Sequence, residues 1–440
     1  MPVNLYPDFK FFLAPVKKIG KLAFVEVEGP ANAPDVGGIS EGDFSRPDIG
    51  ATSGATVFNA SGDLVELVED MPDFSYGADG SCPKILMRPQ EENLITNNKN
   101  LGAAVGVVGS GGLTPRNWVV TPRGLDAEIM AVGQEKGVYY VDYRIYGTCN
   151  QSARYEIRPE GLGANDANLG DYFNVSGYLK IVAQPTAFSG VVNFGIGQRS
   201  TAGYSGVYGS NLTLTSELQR FNSGLQTIQN PADKVESILG FGVTNGDTYD
   251  FTIRIGMLQF TEGEYIKDVI ASSDDGTAIS NTRAANTLVF EDLITKGALS
   301  DSEGSVCILV NNELFKNLSS NTDTLYFGRI EDNDYVRFRG SDNNLLFQII
   351  GFGSVYSRPI PQSKAFVITW KNKNLKLYCD SGKEEDLTTV ENLNISQFGK
   401  LATNVRPTTT LVELKQLGFS PFELTESEAL AALIKLEETV

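Results

Sequence analysis

The chain has 440 residues, enough for two or three domains of about 100–250 residues each. Its formal net charge of −18 argues against nucleic-acid partners and anionic membrane surfaces, both of which attract basic proteins. It contains no histidine, which excludes Ser-His-Asp and Cys-His catalytic systems and zinc sites with histidine ligands. No apolar run reaches the roughly 18–20 residues of a membrane span, so we expect no membrane insertion.

Glycine is frequent and occurs with many Asn, Ser, Thr and Asp residues. Gly, Asn and Asp tolerate the left-handed backbone of tight turns, so this composition favours many short strands. The chain has four cysteines, none in a CxxC pair: Cys82, Cys149, Cys307 and Cys379. We interpret them as free, mostly buried thiols, because four cysteines do not make a disulfide framework in a chain of this length.

Residues 1–40 differ in character from the rest of the chain. Phe11 and Phe12 precede Lys17 and Lys18, and the segment then runs into a stretch rich in Pro and Gly. A secretory signal has its basic residues before the apolar stretch, so we expect no export signal here. We interpret the segment as an anchoring arm in which these four side chains make the contacts. The alternative is that it forms the first strand of the domain.

Residues 41–265 are predicted to form a first β-sandwich. The segment ATVFNASGDLVELV predicts a hairpin whose turn spans Asn59 to Asp63. From residue 101 onward, β-branched and aromatic runs alternate with Gly, Asn and Pro clusters, as in sandwiches and barrels.

Residues 266–440 are predicted to form a second β-sandwich of unrelated sequence. Runs such as TLYFGRI, LLFQIIG and AFVITWKN have strand composition and are separated by polar turns. The C-terminal segment predicts a short helix with Thr425 as N-cap and Glu428 completing a capping box. Leu430, Leu433 and Ile434 would form its apolar face.

The segment from Asp43 to Leu94 resembles a module of bacteriophage fibre and other virion proteins. The matching motifs are Phe44-Ser45-Arg46, Val57-Phe58-Asn59-Ala60-Ser61-Gly62, Met71-Pro72-Asp73-Phe74-Ser75-Tyr76, Gly80-Ser81-Cys82-Pro83 and Arg88-Pro89-Gln90-Glu91-Glu92-Asn93-Leu94. Two positions depart from that family, which usually has Arg at position 73 and Glu at position 88.

The resemblance continues downstream. The segment from Gly256 to Tyr265 resembles the family's link between a carbohydrate-binding-module-like sandwich and a following concanavalin/laminin-G-like sandwich. Residues 365–378 and 414–428 resemble its last strands and closing helix. The resemblance implies an all-β protein of two jelly-roll domains in series, and it defines no catalytic residues.

Sugar-binding sandwiches stack exposed aromatic rings on sugar rings. The candidates are Trp118, Tyr204, Tyr208 and Tyr335. Tyr204 and Tyr208 lie in RSTAGYSGVYGSN, which we interpret as a loop without a core pattern. Trp370 alternates with Phe366 and Ile368, so we place it in the core.

Two further kinds of chemistry would depend on carboxylates. Concanavalin-type sandwiches often bind calcium at loop tips, for which Asp332, Asp334 and Asp342 are candidates, although Asp at these positions also simply makes turns. A jelly-roll glycosidase needs two facing carboxylates, but neither Glu384-x-Asp386 nor Glu41-x-Asp43 continues into the third acid of Glu-x-Asp-x-x-Glu. We therefore predict no enzymatic activity and no cofactor other than this calcium.

The resemblance and the residues together predict a structural component of a bacteriophage virion: a head fibre, decoration protein or tail appendage. It would assemble in the host bacterial cytoplasm with other virion proteins and with copies of itself, and would display its sandwiches towards host-surface polysaccharide. A glycan depolymerase and a bacterial surface adhesin are the alternatives.

Overall fold

The computed structural model describes most of the first half of the chain and mainly strands elsewhere. The described residues are 11–13, 43–45, 54–59, 61–67, 74–75, 84–87, 90–163, 165–186, 188, 190–200, 203–229, 234–263, 266–273, 281–283, 287–290, 303–310, 322–329, 334–341, 344–351, 354–360, 365–371, 374–379, 382–387, 401–403, 412–420, 423, 425–427, 429–430 and 433.

Strands make up nearly all of the regular structure. Before residue 100 they are β1 (Phe11–Leu13), β2 (Asp43–Ser45), β3 (Thr56–Phe58), β4 (Leu64–Glu66), β5 (Phe74–Ser75), β6 (Lys84–Met87) and β7 (Glu91–Asn93). Residues 101–265 form β8 (Gly106–Val108), β9 (Gly111–Gly112), β10 (Val119–Thr121), β11 (Asp126–Glu135), β12 (Val138–Thr148), β13 (Ala153–Arg158), β14 (Asn165–Asp166), β15 (Tyr172–Thr186), β16 (Val192–Ser200), β17 (Gly203–Tyr208), β18 (Gln219–Asn222), β19 (Gln226–Thr227), β20 (Lys234–Val243) and β21 (Thr248–Glu262).

The strands beyond residue 265 have at most nine residues, whereas β15 and β21 have fifteen each. They are β22 (Asn281–Arg283), β23 (Thr287–Phe290), β24 (Glu303–Val310), β25 (Thr322–Arg329), β26 (Asp334–Ser341), β27 (Asn344–Gly351), β28 (Ser354–Ile360), β29 (Ala365–Lys371), β30 (Asn374–Cys379), β31 (Gly382–Leu387), β32 (Leu401–Thr403) and β33 (Val412–Ser420). The all-β class predicted from the sequence is confirmed.

Two sheets form the first sandwich. Sheet I has the order β18-β15-β21-β12-β11-β8-β9, and sheet II has the order β10-β13-β20-β16-β17. Alternate residues of the long strands point inward, as Val141, Tyr143 and Ile145 do in β12, so the two inner faces share one apolar core. The hydroxyls of Tyr143 and Tyr155 hydrogen bond at 2.8 Å across this core, which satisfies both buried groups.

A bulge near the end of β21 brings the predicted hairpin onto the sandwich. Met257 has a φ of 40°, and the inward alternation that includes Ile255 resumes at Leu258. Met257 therefore packs on the outside of sheet I, in a small cluster with Leu64 of the hairpin. The turn is as predicted, since the Oδ1 atom of Asn59 accepts hydrogen bonds from the backbone of Ser61 and Asp63.

The second half contains two further sheets. Sheet III has the order β31-β30-β29-β24-β33-β6-β5, with β1 also paired to β33, and sheet IV has the order β2-β23-β32-β25-β26-β27-β28. Trp370 is buried in sheet III, as its alternation predicted. Cys149, Cys307 and Cys379 are buried and form no disulfide, as predicted, while Cys82 lies outside the described residues.

The strand pairing divides the chain differently from the predicted boundary at residue 41. We predicted that residues 41–265 make the first sandwich, but β2 pairs with β23 of sheet IV and β6 pairs with β33 of sheet III. Of the strands before residue 100, the hairpin of β3 and β4 packs on sheet I, and Asn93 of β7 accepts a hydrogen bond from the backbone of Phe260 in β21. Strand partners are set by long-range hydrogen bonds, so nearness in sequence to the first sandwich did not decide them.

Five described residues after Thr425 have helical backbone. Glu426, Ser427, Ala429, Leu430 and Leu433 are the helical residues within the described part of the chain. The backbone N–H of Ala429 donates to the carbonyl of Thr425 at 2.9 Å, so the turn begins at the predicted N-cap. Glu428 and Ile434 lie outside the described residues. Among those that are described, no helix has the length and apolar character of a membrane span.

Candidate functional site

The outer surface of sheet II carries a cluster of polar and aromatic side chains. In β13, Tyr155 and Ile157 face the core, so the intervening residues face outward. Register then places outward residues of β13, β16, β17 and β20 beside one another. We call this surface the tyrosine face; it consists of Arg154, Glu156, Arg158, Arg199, Tyr204, Tyr208 and Glu236.

Glycines form the floor of the tyrosine face. Tyr208 lies so close to the sheet that a Cβ atom at Gly195 would be 2.4 Å from its ring, and one at Gly206 would be 2.8 Å away. Tyr204 lies similarly over Gly197, at 2.8 Å. Any larger residue at these positions would lift the rings, so the glycines allow both tyrosines to lie flat against the backbone.

Two buried carboxylates, Glu236 and Glu156, lie beside the two tyrosine rings. Glu236 accepts hydrogen bonds from Arg158 Nε at 2.7 Å, from Arg199 Nε at 2.8 Å and from the backbone N–H of Gly163 at 2.6 Å. Its side chain is only 1% exposed. Glu156 accepts hydrogen bonds from Arg158 and from the hydroxyl of Tyr208. Both charges are therefore neutralised by direct pairing, which a buried carboxylate requires.

Guanidinium groups flank both rings. Arg154 stacks over Tyr208 with its central carbon 3.8 Å from the ring centroid, and Arg199 lies 4.9 Å from the centroid of Tyr204. Burial raises the pKa of Tyr204 and, together with the hydrogen bond to Glu156, that of Tyr208. Both phenols stay neutral at physiological pH. Tyr204 is 44% exposed, so its ring is accessible from solvent.

Two polar groups of this surface have no hydrogen-bond partner among the described residues. They are Nε of Arg154 and Oδ1 of Asn193, and both atoms are buried. Both lie around Gly240, where a Cβ atom would be 3.1 Å from Arg154 and 3.2 Å from Asn193 Oδ1. Unsatisfied buried polar atoms are costly, so the fold carries an unmet donor and an unmet acceptor beside Tyr208.

The outer surface of sheet I carries a different arrangement, which we call the charge ladder. It consists of Glu128, Glu135, Asp142, Arg144, Lys180, Asp250 and Arg254. Arg144 binds both oxygens of Asp250, at 2.8 and 2.9 Å, and Arg254 binds both oxygens of Asp142, at 2.7 and 2.8 Å. Each cation of the ladder has a carboxylate partner.

The structure brings together two of the predicted sugar-binding residues. Tyr204 and Tyr208 both face outward from β17, which is a strand and not the predicted loop. Trp118 is different: it is 8% exposed and its ring packs 6.1 Å from that of Tyr143 in the core. Trp118 therefore cannot stack on a sugar, and that prediction is wrong. Tyr335 lies in β26, but its side chain is outside the described residues.

The predicted calcium and anchoring residues fall mainly outside the described part. Asp332, Asp342, Lys17 and Lys18 are not described, and Asp334 begins β26. No group of three or more His, Cys, Asp or Glu suited to a metal occurs among the residues that are described.

The anchoring arm is partly a strand. Phe11 and Phe12 lie in β1, which pairs with Phe419 and Gly418 of β33. The backbone of these two residues is therefore part of sheet III, and their role as contacts of an anchoring arm stays a prediction. Their side chains lie outside the description.

Most of the tyrosine face was missed from the sequence. The run ARYEIR alternates polar and apolar residues, which indicates an outward row of Arg154, Glu156 and Arg158. Nothing in the sequence shows that Glu236 lies beside this row, because the contact depends on the pairing of β13 with β20.

Comparison with known proteins identifies no family. No family model and no curated protein matches the chain. Solved structures match distantly. A carbohydrate-binding module of family 4 has 17% identity and a TM-score of 0.24, over 33% of this chain and 86% of that one. The CBM22-1 xylan-binding domain of Paenibacillus barcinonensis Xyn10C has 12% identity and a TM-score of 0.25, over 40% and 94%.

A toxin domain matches with a TM-score in the same range. The receptor-binding domain of botulinum neurotoxin mosaic serotype C/D has 12% identity and a TM-score of 0.27, over 35% of this chain and 40% of that one. Scores this low carry no functional argument, so only the side chains of this chain bear on its function.

Proposed function

We propose that the first sandwich binds a glycan through the tyrosine face. The observation that carries this proposal is the ring of Tyr204, which packs close to the glycine backbone beside Tyr208 and is exposed to solvent. The C–H groups on one face of a sugar ring are attracted to the negative face of an aromatic ring. The flanking guanidinium and amide groups then supply hydrogen bonds to sugar hydroxyls.

The arrangement favours binding over hydrolysis. A glycosidase needs one carboxyl group with a raised pKa to protonate the leaving group and a second, free carboxylate to act as nucleophile or base. Glu156 and Glu236 lie together on the face, but each of their oxygens already accepts a hydrogen bond, and both carboxylates are paired with arginine. A non-enzymatic role therefore fits better than a depolymerase.

The wider role that we propose is that of a bacteriophage virion component, assembled in the host cytoplasm and displayed on the particle as a head fibre, decoration protein or tail appendage. The virion-like motifs of residues 43–94 support this proposal. Strands of that segment hydrogen bond to both sheets of the second half, while its hairpin packs on the first sandwich. Several weak glycan sites on an oligomer would add avidity.

The glycan proposal is tested with the full chain and a panel of neutral and acidic polysaccharides, including bacterial surface glycans, by affinity electrophoresis. We expect the wild type to be retarded by at least one polysaccharide. Tyr204→Ala should weaken that binding about 10-fold or more, equivalent to about 1.4 kcal/mol. Tyr172→Ala is the matched control, because Tyr172 is a comparably exposed tyrosine (39%) on sheet I.

Two results would contradict the glycan proposal: no retardation on any polysaccharide, or equal retardation of wild type and Tyr204→Ala. Release of new reducing ends from a bound polysaccharide would instead favour the depolymerase. The virion role is tested by a cryo-EM map of purified particles, in which we expect density for this chain projecting from the shell or tail. Its absence from the particles by mass spectrometry would overturn that role.

A further inference from the structure

The three arginines of the tyrosine face are not equivalent. Arg158 hydrogen bonds to Glu156 and Glu236, and Arg199 hydrogen bonds to Glu236. No carboxylate among the described residues pairs with Arg154. Its guanidinium instead stacks on Tyr208, and its Nε is buried with no hydrogen-bond partner among the same residues. Arg154 is thus a partly exposed cation that lacks a carboxylate partner among the described residues and whose Nε donor is unused.

The tyrosine face also has an excess of positive charge. It has three arginines and two glutamates, whereas the charge ladder has three cations and four carboxylates, and the chain as a whole is strongly acidic. Both glutamates are already fully paired, so they do not compensate Arg154. A half-buried cation without a counter-charge is costly, and an anionic group on the ligand would remove that cost.

An unused acceptor lies beside this cation. Asn193 is only 2% exposed, and its Oδ1 has no donor among the described residues. Arg154, Asn193 and Tyr208 all border the bare backbone of Gly240, where a Cβ atom would approach them at 3.1, 3.2 and 3.6 Å. The three side chains therefore close over Gly240 with little room even for a methyl group, so a ligand approaches the partly exposed guanidinium of Arg154 from the solvent side.

We infer that the tyrosine face selects sugars that carry a carboxylate, as uronic acid units do. The carboxylate pairs with the guanidinium of Arg154, whose planar fork matches its two oxygens. The sugar ring then lies against Tyr204, the exposed tyrosine of the face. This inference rests on the proposed function, because it names the class of glycan that the same face binds.

The test compares polymers that differ only in the carboxylate. The probes are polygalacturonate, alginate and hyaluronate, each beside its carboxyl-reduced derivative, with affinities measured by isothermal titration calorimetry on the full chain. We expect the wild type to bind at least one acidic polymer about 10-fold more tightly than its reduced derivative. That preference should weaken as salt is added, because the added ions screen the charge pair.

Arg154→Gln should abolish the preference by weakening only the acidic polymer, to within about 3-fold of the reduced one. Tyr204→Ala should weaken both polymers together, so failure of the inference is distinguishable from failure of glycan binding. The control is Lys136→Asn, which removes an exposed charge from the β11–β12 turn of sheet I and keeps a residue that tolerates its φ of 47°. It should leave the preference unchanged.

Three results would overturn the inference. The first is equal or tighter binding of the reduced polymers by the wild type, which leaves glycan binding intact. The second is equal affinity for dextran sulfate at the same salt concentration, which would make the site a general anion site. The third is no binding of any uronate polymer. Because the comparison of polymers uses the wild type, it decides the matter even if Arg154→Gln fails to fold.

Discussion

The tyrosine face and the charge ladder lie on opposite sheets of the same sandwich, and both are built from arginines, carboxylates and tyrosines. On the ladder, Arg254 stacks 3.4 Å over Tyr140 and binds Asp142 with two hydrogen bonds. On the tyrosine face, Arg154 stacks 3.8 Å over Tyr208 but has no carboxylate partner among the described residues. An arginine stacked on a tyrosine therefore has a carboxylate partner on sheet I and lacks one, among the described residues, on sheet II.

The difference lies in the glycines and in the balance of charges. Gly195, Gly197 and Gly206 let the rings of the tyrosine face lie close to the backbone. The charge ladder pairs each of its cations with a carboxylate. The tyrosine face leaves a buried donor and a buried acceptor unused, which costs stability.

Removing Glu236 should produce the largest effect. Glu236→Gln leaves Arg158 and Arg199 without their shared carboxylate in a nearly buried site. We expect the free energy of unfolding to fall by about 3–5 kcal/mol, the usual cost of breaking a buried ion pair. Urea unfolding followed by circular dichroism measures it. A loss below about 1 kcal/mol would show that the ion pairs of Glu236 are solvated, as those of the charge ladder are.

High pH should destabilise the sandwich through its tyrosines. Burial raises the pKa of Tyr143 to about 12, and also raises those of Tyr204 and Tyr208. A neutral phenol with a raised pKa stabilises the fold below the unfolded pKa of about 10, and this stabilisation is lost as pH rises through the folded pKa. For Tyr143 it amounts to about 3 kcal/mol, at about 1.4 kcal/mol per pKa unit.

The measurement is absorbance at 295 nm recorded with circular dichroism during an alkaline titration. We expect the tyrosines with raised pKa values to ionise together with unfolding. Tyr143→Phe should make the loss of stability between about pH 10 and pH 12 shallower, because one of the buried phenols is gone. Ionisation of every phenol near pH 10, with the fold intact, would contradict this prediction.

The glycine floor can be tested by adding a single methyl group. In Gly206→Ala the new Cβ would lie 2.8 Å from the ring of Tyr208, so the ring must move. We expect a loss of about 1–3 kcal/mol in stability, typical of overpacking, together with weaker glycan binding. The loss should largely disappear when Tyr208→Ala is added. Gly242→Ala is the control, since its nearest neighbour would be 3.4 Å away. If the stability losses of Gly206→Ala and Tyr208→Ala simply add in the double variant, the contact between the new methyl group and the Tyr208 ring is not the cause.

The smallest effect is expected on the ladder. Asp250→Asn should cost about 0.2–1 kcal/mol, because Asp250 and Arg144 are partly exposed. The hydrogen bond from Arg144 lowers the pKa of Asp250, so the stabilisation is present above the unfolded pKa of about 3.9 and is lost as pH falls through the lower folded pKa. Wild type and variant should therefore converge in acid. If the urea midpoints of wild type and Asp250→Asn still differ at pH 2, the ion pair is not the source of the difference.

Part of the candidate site could be predicted from the sequence. Tyr204 and Tyr208 stand out because they lie among Gly and Ser residues without a core pattern, and both belong to the tyrosine face. The interpretation of Trp118 as an exposed residue failed because short strands such as β10 give too few residues to reveal which side faces the core. The partner of Arg158 could not be found either, since Glu236 is 78 residues away.

The sequence alone determined the all-β class, the hairpin turn at Asn59–Asp63, the burial of Cys149, Cys307 and Cys379 and the outward alternation of β13, because each depends on local composition, turn chemistry or the two-residue period of a strand. Only the tertiary structure decided that β2 and β6 join the sheets of the second half, and that residues of β13, β16, β17 and β20 meet over a floor of glycines. Strand partners and register are fixed by hydrogen bonds between distant segments, which no local pattern encodes.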